Sequence, residues 1–253
     1  MIYEITSRDN KTLKLVRSLH KKKGRNQSGL YFAEGTRLVD EALRFADKSV
    51  RFLLVADSYF KANSNRFEDT DKEIYITSDK LFAQCCDTEN PQGIAVVLEI
   101  PENDEVLNSN YILILDGVAE PGNMGTIIRT AEAAGIDAIY LMDGCADIYN
   151  PKVVRSAMGS LFRMKFKDSN ILELENLKKD GFTIVATALY NSQPIEKAKL
   201  SGKRAIVIGN EAQGVSQDVL SLADMAVRID MCGSVESLNA AVAAGISMYM
   251  LRP

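Results

Sequence analysis

Residues 111–135, YILILDGVAEPGNMGTIIRTAEAAG, decide the fold. Positions 111–115 are nearly all apolar, the pattern of a strand buried on both faces of a parallel sheet. A tight turn with Pro121, Gly122 and Gly125 follows, and the spacing predicts a helix over 123–134. Further along, strands are expected at 138–142, 183–187, 204–208 and 226–229. Helices are expected near 151–158 and over 171–179, 216–222 and 236–251. This alternation implies an α/β domain over 111–253, with a parallel sheet covered on both faces.

Upstream, the polar, acidic stretch PENDEVLNSN at 101–110 has the composition of a linker. Residues 1–100 then form a separate small α/β unit. Leu13, Val16 and Leu19 are spaced for a helix over 7–19, with Ser7 or Asp9 as its cap. A basic, glycine-containing loop is expected at 21–28, a strand at 30–33 and a helix at 36–45. Strands at 52–56, 74–76 and 94–98 follow, with a polar loop at 61–72 and a helix near 78–85.

The 253 residues carry a net charge of −4, unevenly spread. Residues 1–30 hold eight Lys and Arg against two acids. Such asymmetry marks either a nucleic-acid contact surface or a solvated basic helix and loop. Four cysteines without a CxxC pair, and one histidine (His20), give neither a standard zinc site nor a disulfide framework. No metal is expected. Residues 1–10 are polar and no apolar run reaches membrane-spanning length, so a soluble cytoplasmic protein is the expectation.

Three loops after strands are rich in groups that do chemistry, and open α/β sheets bind ligands at the carboxyl ends of their strands. The first, DGVAEPGNMGTIIR at 116–129, offers a helix start and Arg129, suited either to a phosphate or to a glycine-dependent turn. The second, GNEAQGVS at 209–216, sets Glu211 between glycines. The third, IDMCGSVESLN at 229–239, runs into the small residues AAVAAG, which permit close backbone approach to a ligand or tight helix packing. Neither GxGxxG nor GxxxxGK[ST] occurs, which counts against a dehydrogenase and a nucleotide hydrolase.

In this order the loops resemble the SpoU (TrmH-like) family of the SPOUT RNA 2′-O-ribose methyltransferases. The matching positions are Asn123, Gly125, Arg129 and Thr130; Gly209, Glu211, Gly214 and Ser216; and Met231, Gly233, Ser237, Leu238 and Asn239. The stretch NPKVVRSAMGSLFR resembles an intermediate family segment and brings in Arg155. Asp230 departs from the proline, and Ala240 from the valine, that family members often carry there. The resemblance implies a C-terminal SPOUT domain with a deep trefoil knot. It also implies an N-terminal RNA-binding domain similar to certain ribosomal proteins, and a homodimer whose active site is completed across the interface.

It further implies S-adenosylmethionine as cofactor and a ribose 2′-hydroxyl of RNA, 23S rRNA first, as methyl acceptor. A tRNA acceptor, an antibiotic-resistance role or a non-catalytic ribosome-assembly factor are the alternatives. Asn123, Arg129, Glu211, Ser237 and Asn239 are the implied catalytic set. Thr187, Ala188, Leu189, Gly209, Asn210, Ile229, Met231 and Leu238 are expected at the cofactor. Lys21, Lys22, Lys23, Arg25 and Arg155 are expected at the RNA; Tyr31 and Phe32 are candidates for stacking on a base, with core packing the favoured role for at least one of them because they open an apolar strand.

Overall fold

In the computed structural model, residues 1–68, 70–101 and 109–253 are described. Most of the expected linker, 102–108, lies outside them. By contacts the chain divides into two units, Met1–Glu102 with Asp147–Arg163, and Asn103–Ala146 with Met164–Pro253. The segment Asp147–Arg163, expected within the C-terminal domain, packs with the first unit.

The first unit runs β1 (Ile2–Ile5), α1 (Lys11–Ser18), α2 (Lys22–Ser28), β2 (Leu30–Glu34), α3 (Thr36–Phe45), β3 (Val50–Ala56), α4 (Asp57–Ala62), β4 (Glu73–Thr77), α5 (Asp79–Ala83) and β5 (Ile94–Glu99). Its sheet has the order β1-β4-β3-β5-β2, parallel through β1, β4 and β3 and antiparallel at β5 and β2. Leu13, Val16 and Leu19 bury against Phe32, Phe52, Leu54 and Phe82 on one face, as the helical spacing requires. Asn10, rather than Ser7 or Asp9, caps α1, accepting from the Thr12 N–H at 2.7 Å.

The expected loop at 21–28 is helical instead. Gly24 explains why: a Cβ there would lie 2.1 Å from the Ser18 carbonyl oxygen, so only glycine lets α2 start so close to the end of α1. Gly29 then closes α2 in the left-handed conformation (φ +67°). Strand β1, too exposed and short to stand out as a pattern, went unforeseen.

The second unit runs β6 (Tyr111–Asp116), α6 (Pro121–Ala134), β7 (Ala138–Leu141), then, after α7 (Pro151–Ala157) of the first unit, β8 (Lys165–Asp168), α8 (Ile171–Lys179), β9 (Thr183–Thr187), β10 (Gln193–Pro194), β11 (Arg204–Gly209), α9 (Gln217–Leu222), β12 (Met225–Arg228) and α10 (Ala240–Met250). All seven strands are parallel, in the order β10-β12-β9-β11-β6-β7-β8. Ile112, Ile114, Ile184, Ala205 and Val207 face α8 and α9, burying Leu174, Leu177 and Val219. On the opposite face, the Tyr111 hydroxyl donates to the Met248 carbonyl and Arg204 donates to the Leu251 carbonyl, seating α10.

From β6 the chain steps outward through β7 and β8, then resumes at β9 on the far side, leaving a slot that β11 fills. The β6–β11 boundary is therefore a topological switch point, where loops diverge and leave a crevice. Helix α10 begins at Ala240 rather than at 236, because Asn239 caps it, accepting from the Ala241 and Val242 N–H groups. Residues 229–239 stay in a loop. Among the described residues no helix is long and apolar enough to cross a membrane.

Candidate active site

The switch point gathers the polar residues. Gly209 pairs in register with Asp116, so the first two loops leave the sheet side by side. Asp116, 9% exposed, accepts from the Ser216 N–H at 2.7 Å. Asn210 donates from Nδ2 to the Gly117 carbonyl at 2.8 Å. Its Oδ1 accepts from the Ala212 and Gln213 N–H groups, and its own backbone exchanges hydrogen bonds with Gly214. Asn210 thus holds the second loop in shape, and its polar groups are already engaged by the protein rather than presented to a cofactor. A Cβ at Gly209 would sit 2.2 Å from the Gly214 carbonyl carbon and the Val215 nitrogen, so this turn excludes any larger residue.

Above this scaffold runs a directed chain of hydrogen bonds. Asn239 Nδ2 donates to Asn123 Oδ1 at 2.9 Å, and Asn123 Nδ2 donates to Glu211 Oε1 at 2.8 Å. Starting from the α10 N–H groups on Asn239 Oδ1, each amide accepts on one side and donates on the other, and the chain ends on a carboxylate. Such chains polarise in one sense and strengthen each link. At the start of α6, Glu120 caps the helix, its Oε2 accepting from the Asn123 N–H at 2.6 Å. All three side chains of the chain remain solvent-accessible.

Arg129 lies further along α6, exposed and without an ion pair among the described residues; the structure does not bring it to this cluster. Ser237 is exposed on the third loop, while Ile229, Met231 and Leu238 are half-buried there. Thr187, Gly209 and Arg228 end the adjacent strands β9, β11 and β12, so the loops carrying Ala188 and Leu189, Glu211, and 229–239 all leave the same edge of the sheet. Leu189 and Val235, on the first and third of these loops, are exposed apolar residues. Cys145, next to the first loop, donates to the Leu115 carbonyl, and burial pushes its thiol up, away from nucleophile chemistry.

Several residues expected at RNA are placed otherwise. Arg25 is 2% exposed, its Nη2 bonded to Asp147 at 2.5 Å and its Nη1 to the Leu19 carbonyl at 2.6 Å; it supports the fold of the first unit and cannot reach a phosphate as placed. Arg155 pairs with Glu34 and Asp87, both at 3.2 Å. Tyr31 and Phe32 are buried, Tyr31 packing on Tyr149 with ring centroids 4.7 Å apart, so neither is open to a base. A strand that opens with aromatic residues is satisfied by core packing. Lys21, Lys22 and Lys23 are exposed. Asp116 and Glu120, which orient the site, had no sequence signal beyond their place at a strand end and a helix start.

The SpoU rRNA Methylase family model matches residues 110–249, and the MRM3-like substrate binding domain matches 10–96. The chain is 38% identical to the 23S rRNA (guanosine(2553)-2′-O)-methyltransferase RlmP of Bacillus subtilis, over 98% of this chain and 99% of that one. It is similar to the S-adenosylmethionine-bound rRNA methyltransferase of Sinorhizobium meliloti (TM-score 0.87, 28% identity, 98% and 97% of the two chains covered). It is similar also to the SpoU methyltransferase AviRb of Streptomyces viridochromogenes in complex with the same cofactor (TM-score 0.85, 27% identity, 95% and 96% covered).

Proposed function

The chain belongs to the SpoU rRNA methylase family, an S-adenosylmethionine-dependent RNA 2′-O-ribose methyltransferase by that membership, and we propose that it acts on 23S rRNA through the Asn239–Asn123–Glu211 chain. The guanosine methylated by the Bacillus subtilis relative is the position to map first.

When bound, S-adenosylmethionine would supply a methyl group on a sulfonium, whose in-line transfer forms an O–CH3 bond at the ribose oxygen, breaks the S–CH3 bond and releases the neutral thioether S-adenosylhomocysteine. The chain's own residues must align that oxygen, exclude water and take up its proton. Glu211 is the acceptor the geometry favours: Oε1 is held by Asn123, and Oε2 accepts no hydrogen bond among the described residues. Asn123 and Asn239 fix the carboxylate's direction, while Ser237 faces solvent where a ribose hydroxyl could meet it. The loops at 187–189, 209–210 and 229–238 hold the cofactor, with Asn210 acting through loop shape. A guanidinium keeps its proton, so Arg129 grips the adjacent phosphate and stabilises developing alkoxide charge.

Because Arg129 stands apart from the cluster, it serves the site of a second copy. Helix α10 supports such a homodimer: Val242, Ile246, Tyr249 and Met250 recur at i, i+4, i+7 and i+8 and are exposed or half-buried, an uncovered apolar stripe. The insertion of β11 between β6 and β9, closed by the backbone contact at Gly209, is consistent with a knotted C-terminal end. Lys21, Lys22 and Lys23 contribute phosphate contacts from the first unit.

The test is transfer of labelled methyl to unmodified 23S rRNA, followed by nuclease mapping. Label on a ribose 2′-oxygen in wild type, lost at least 100-fold in Glu211→Gln, is expected. Label on tRNA alone would sink the 23S assignment, and unchanged turnover in Glu211→Gln would remove Glu211 as proton acceptor.

A further inference from the structure

Residue 230 is aspartate where the resemblance expects proline, and its surroundings give that charge a task. Val227 of β12 pairs in register with Thr187 on one side and with Gln193 on the other. The five residues 188–192 therefore carry the chain from one flank of β12 to the other, close to where 229–239 leaves the strand. In this crossing Asn191 adopts a left-handed φ of +52°. Within the crossing, Tyr190 is 83% exposed, and the Ser192 hydroxyl is buried without a hydrogen-bond partner among the described residues.

Arg228, the last residue of β12, fastens the crossing. Its Nη1 donates to the Ser192 carbonyl, and its Nε donates to Asp230 Oδ1 at 2.7 Å. One guanidinium thus joins the 188–192 arch to the start of the third loop, and Asp230 holds that guanidinium through one charge-assisted hydrogen bond. Proline at 230 would offer no side-chain acceptor. At the other end of the arch the Ala188 N–H donates to the Val227 carbonyl.

We propose that Arg228 and Asp230 form a positioning pair that ties the two loops flanking β12 into one body and so pre-shapes the S-adenosylmethionine site. The inference rests on the reading that residues 187–189 and 229–238 line that site. Neither residue touches the reacting atoms. Their contribution is to reduce the ordering that cofactor binding must otherwise bring about, which raises affinity without adding a contact.

Amide hydrogen exchange of the cofactor-free protein, read at 188–192, tests the pair directly. Asp230→Asn keeps size and removes only the charge at an exposed position, so folding is not at stake. Exchange in the arch should quicken about threefold, the scale of a partly exposed ion pair. Arg228→Gln, which also removes the donor to Ser192, should quicken it about tenfold, and Asp230→Glu should restore the wild-type rate. The dissociation constant for S-adenosylmethionine should rise by similar factors while RNA affinity stays unchanged. Unchanged exchange at 188–192 in both variants would overturn the pair. Faster exchange with an unchanged cofactor dissociation constant would show that the pair holds but that these loops do not line the cofactor site, which overturns both its role and that reading.

Discussion

Asn239 caps helix α10 and, with the same side chain, donates to Asn123 Oδ1 at 2.9 Å, joining positions 116 residues apart. One residue thereby sets where the helix begins and which way the Asn123 amide points. That direction leaves Nδ2 of Asn123 to donate to Glu211, so the start of α10, the start of α6 and the second loop share one hydrogen-bonded line.

Reversing the chemistry at its centre should break the line. Asn123→Asp would set a second carboxylate against Glu211, and methyl transfer should fall at least 100-fold, measured as kcat/KM. Asn239→Ala should lose activity as well and cost about 1 kcal/mol of stability through the missing cap, read as a lowered midpoint in urea. Wild-type activity in either variant would mean that the line is only structural.

Arg129→Ala should abolish turnover without changing the fold, because the side chain is exposed and makes no ion pair among the described residues. If its guanidinium serves a second copy, mixing Arg129→Ala with Glu211→Gln should regenerate up to about a quarter of wild-type activity in hybrid dimers. No recovery on mixing would place both residues in one copy's site.

Arg25 and the neighbouring lysines should separate cleanly. Arg25→Ala leaves Asp147 without its buried partner and should destabilise the protein by about 3–5 kcal/mol. Replacing Lys21, Lys22 and Lys23 with Gln should leave stability nearly unchanged and lower the slope of log affinity for RNA against log salt by about 2 to 3. An unchanged slope would show that these lysines face only solvent.

Acid should reach the second unit through Asp224. Burial alone would raise its pKa, but the Lys178 ammonium at 2.7 Å and the Ile184 N–H at 2.9 Å outweigh it and hold the carboxyl below its ordinary value. A folded-state pKa below the unfolded value of about 3.9 gives stability that is present above that pH and is lost as pH falls through the folded value. Denaturant midpoints of Asp224→Asn should therefore lie below wild type at pH 7 and converge on it as pH falls below the ordinary carboxylate range.

The apolar run at 111–115 and the strand–helix alternation after it identified a parallel sheet, because a strand buried on both faces has few other sequences. The three loops were legible for a similar reason: glycines, amides and a carboxylate at strand ends answer to local backbone and chemical demands. The helical turn at 22–28 was hidden, since its stability comes from a close approach at Gly24 that no periodicity records. Arg25 and Arg155 looked alike in sequence to the exposed lysines, yet partners 122 and 121 residues away pair with them. The order of strands, the slot filled by β11, the hydrogen-bonded line through Asn123 and the Arg228 fastening all depend on residues far apart in the chain. Sequence by itself determined which elements form and which groups could react; only tertiary structure decided which charges are buried and paired, because burial and partner distance are properties of the packed chain.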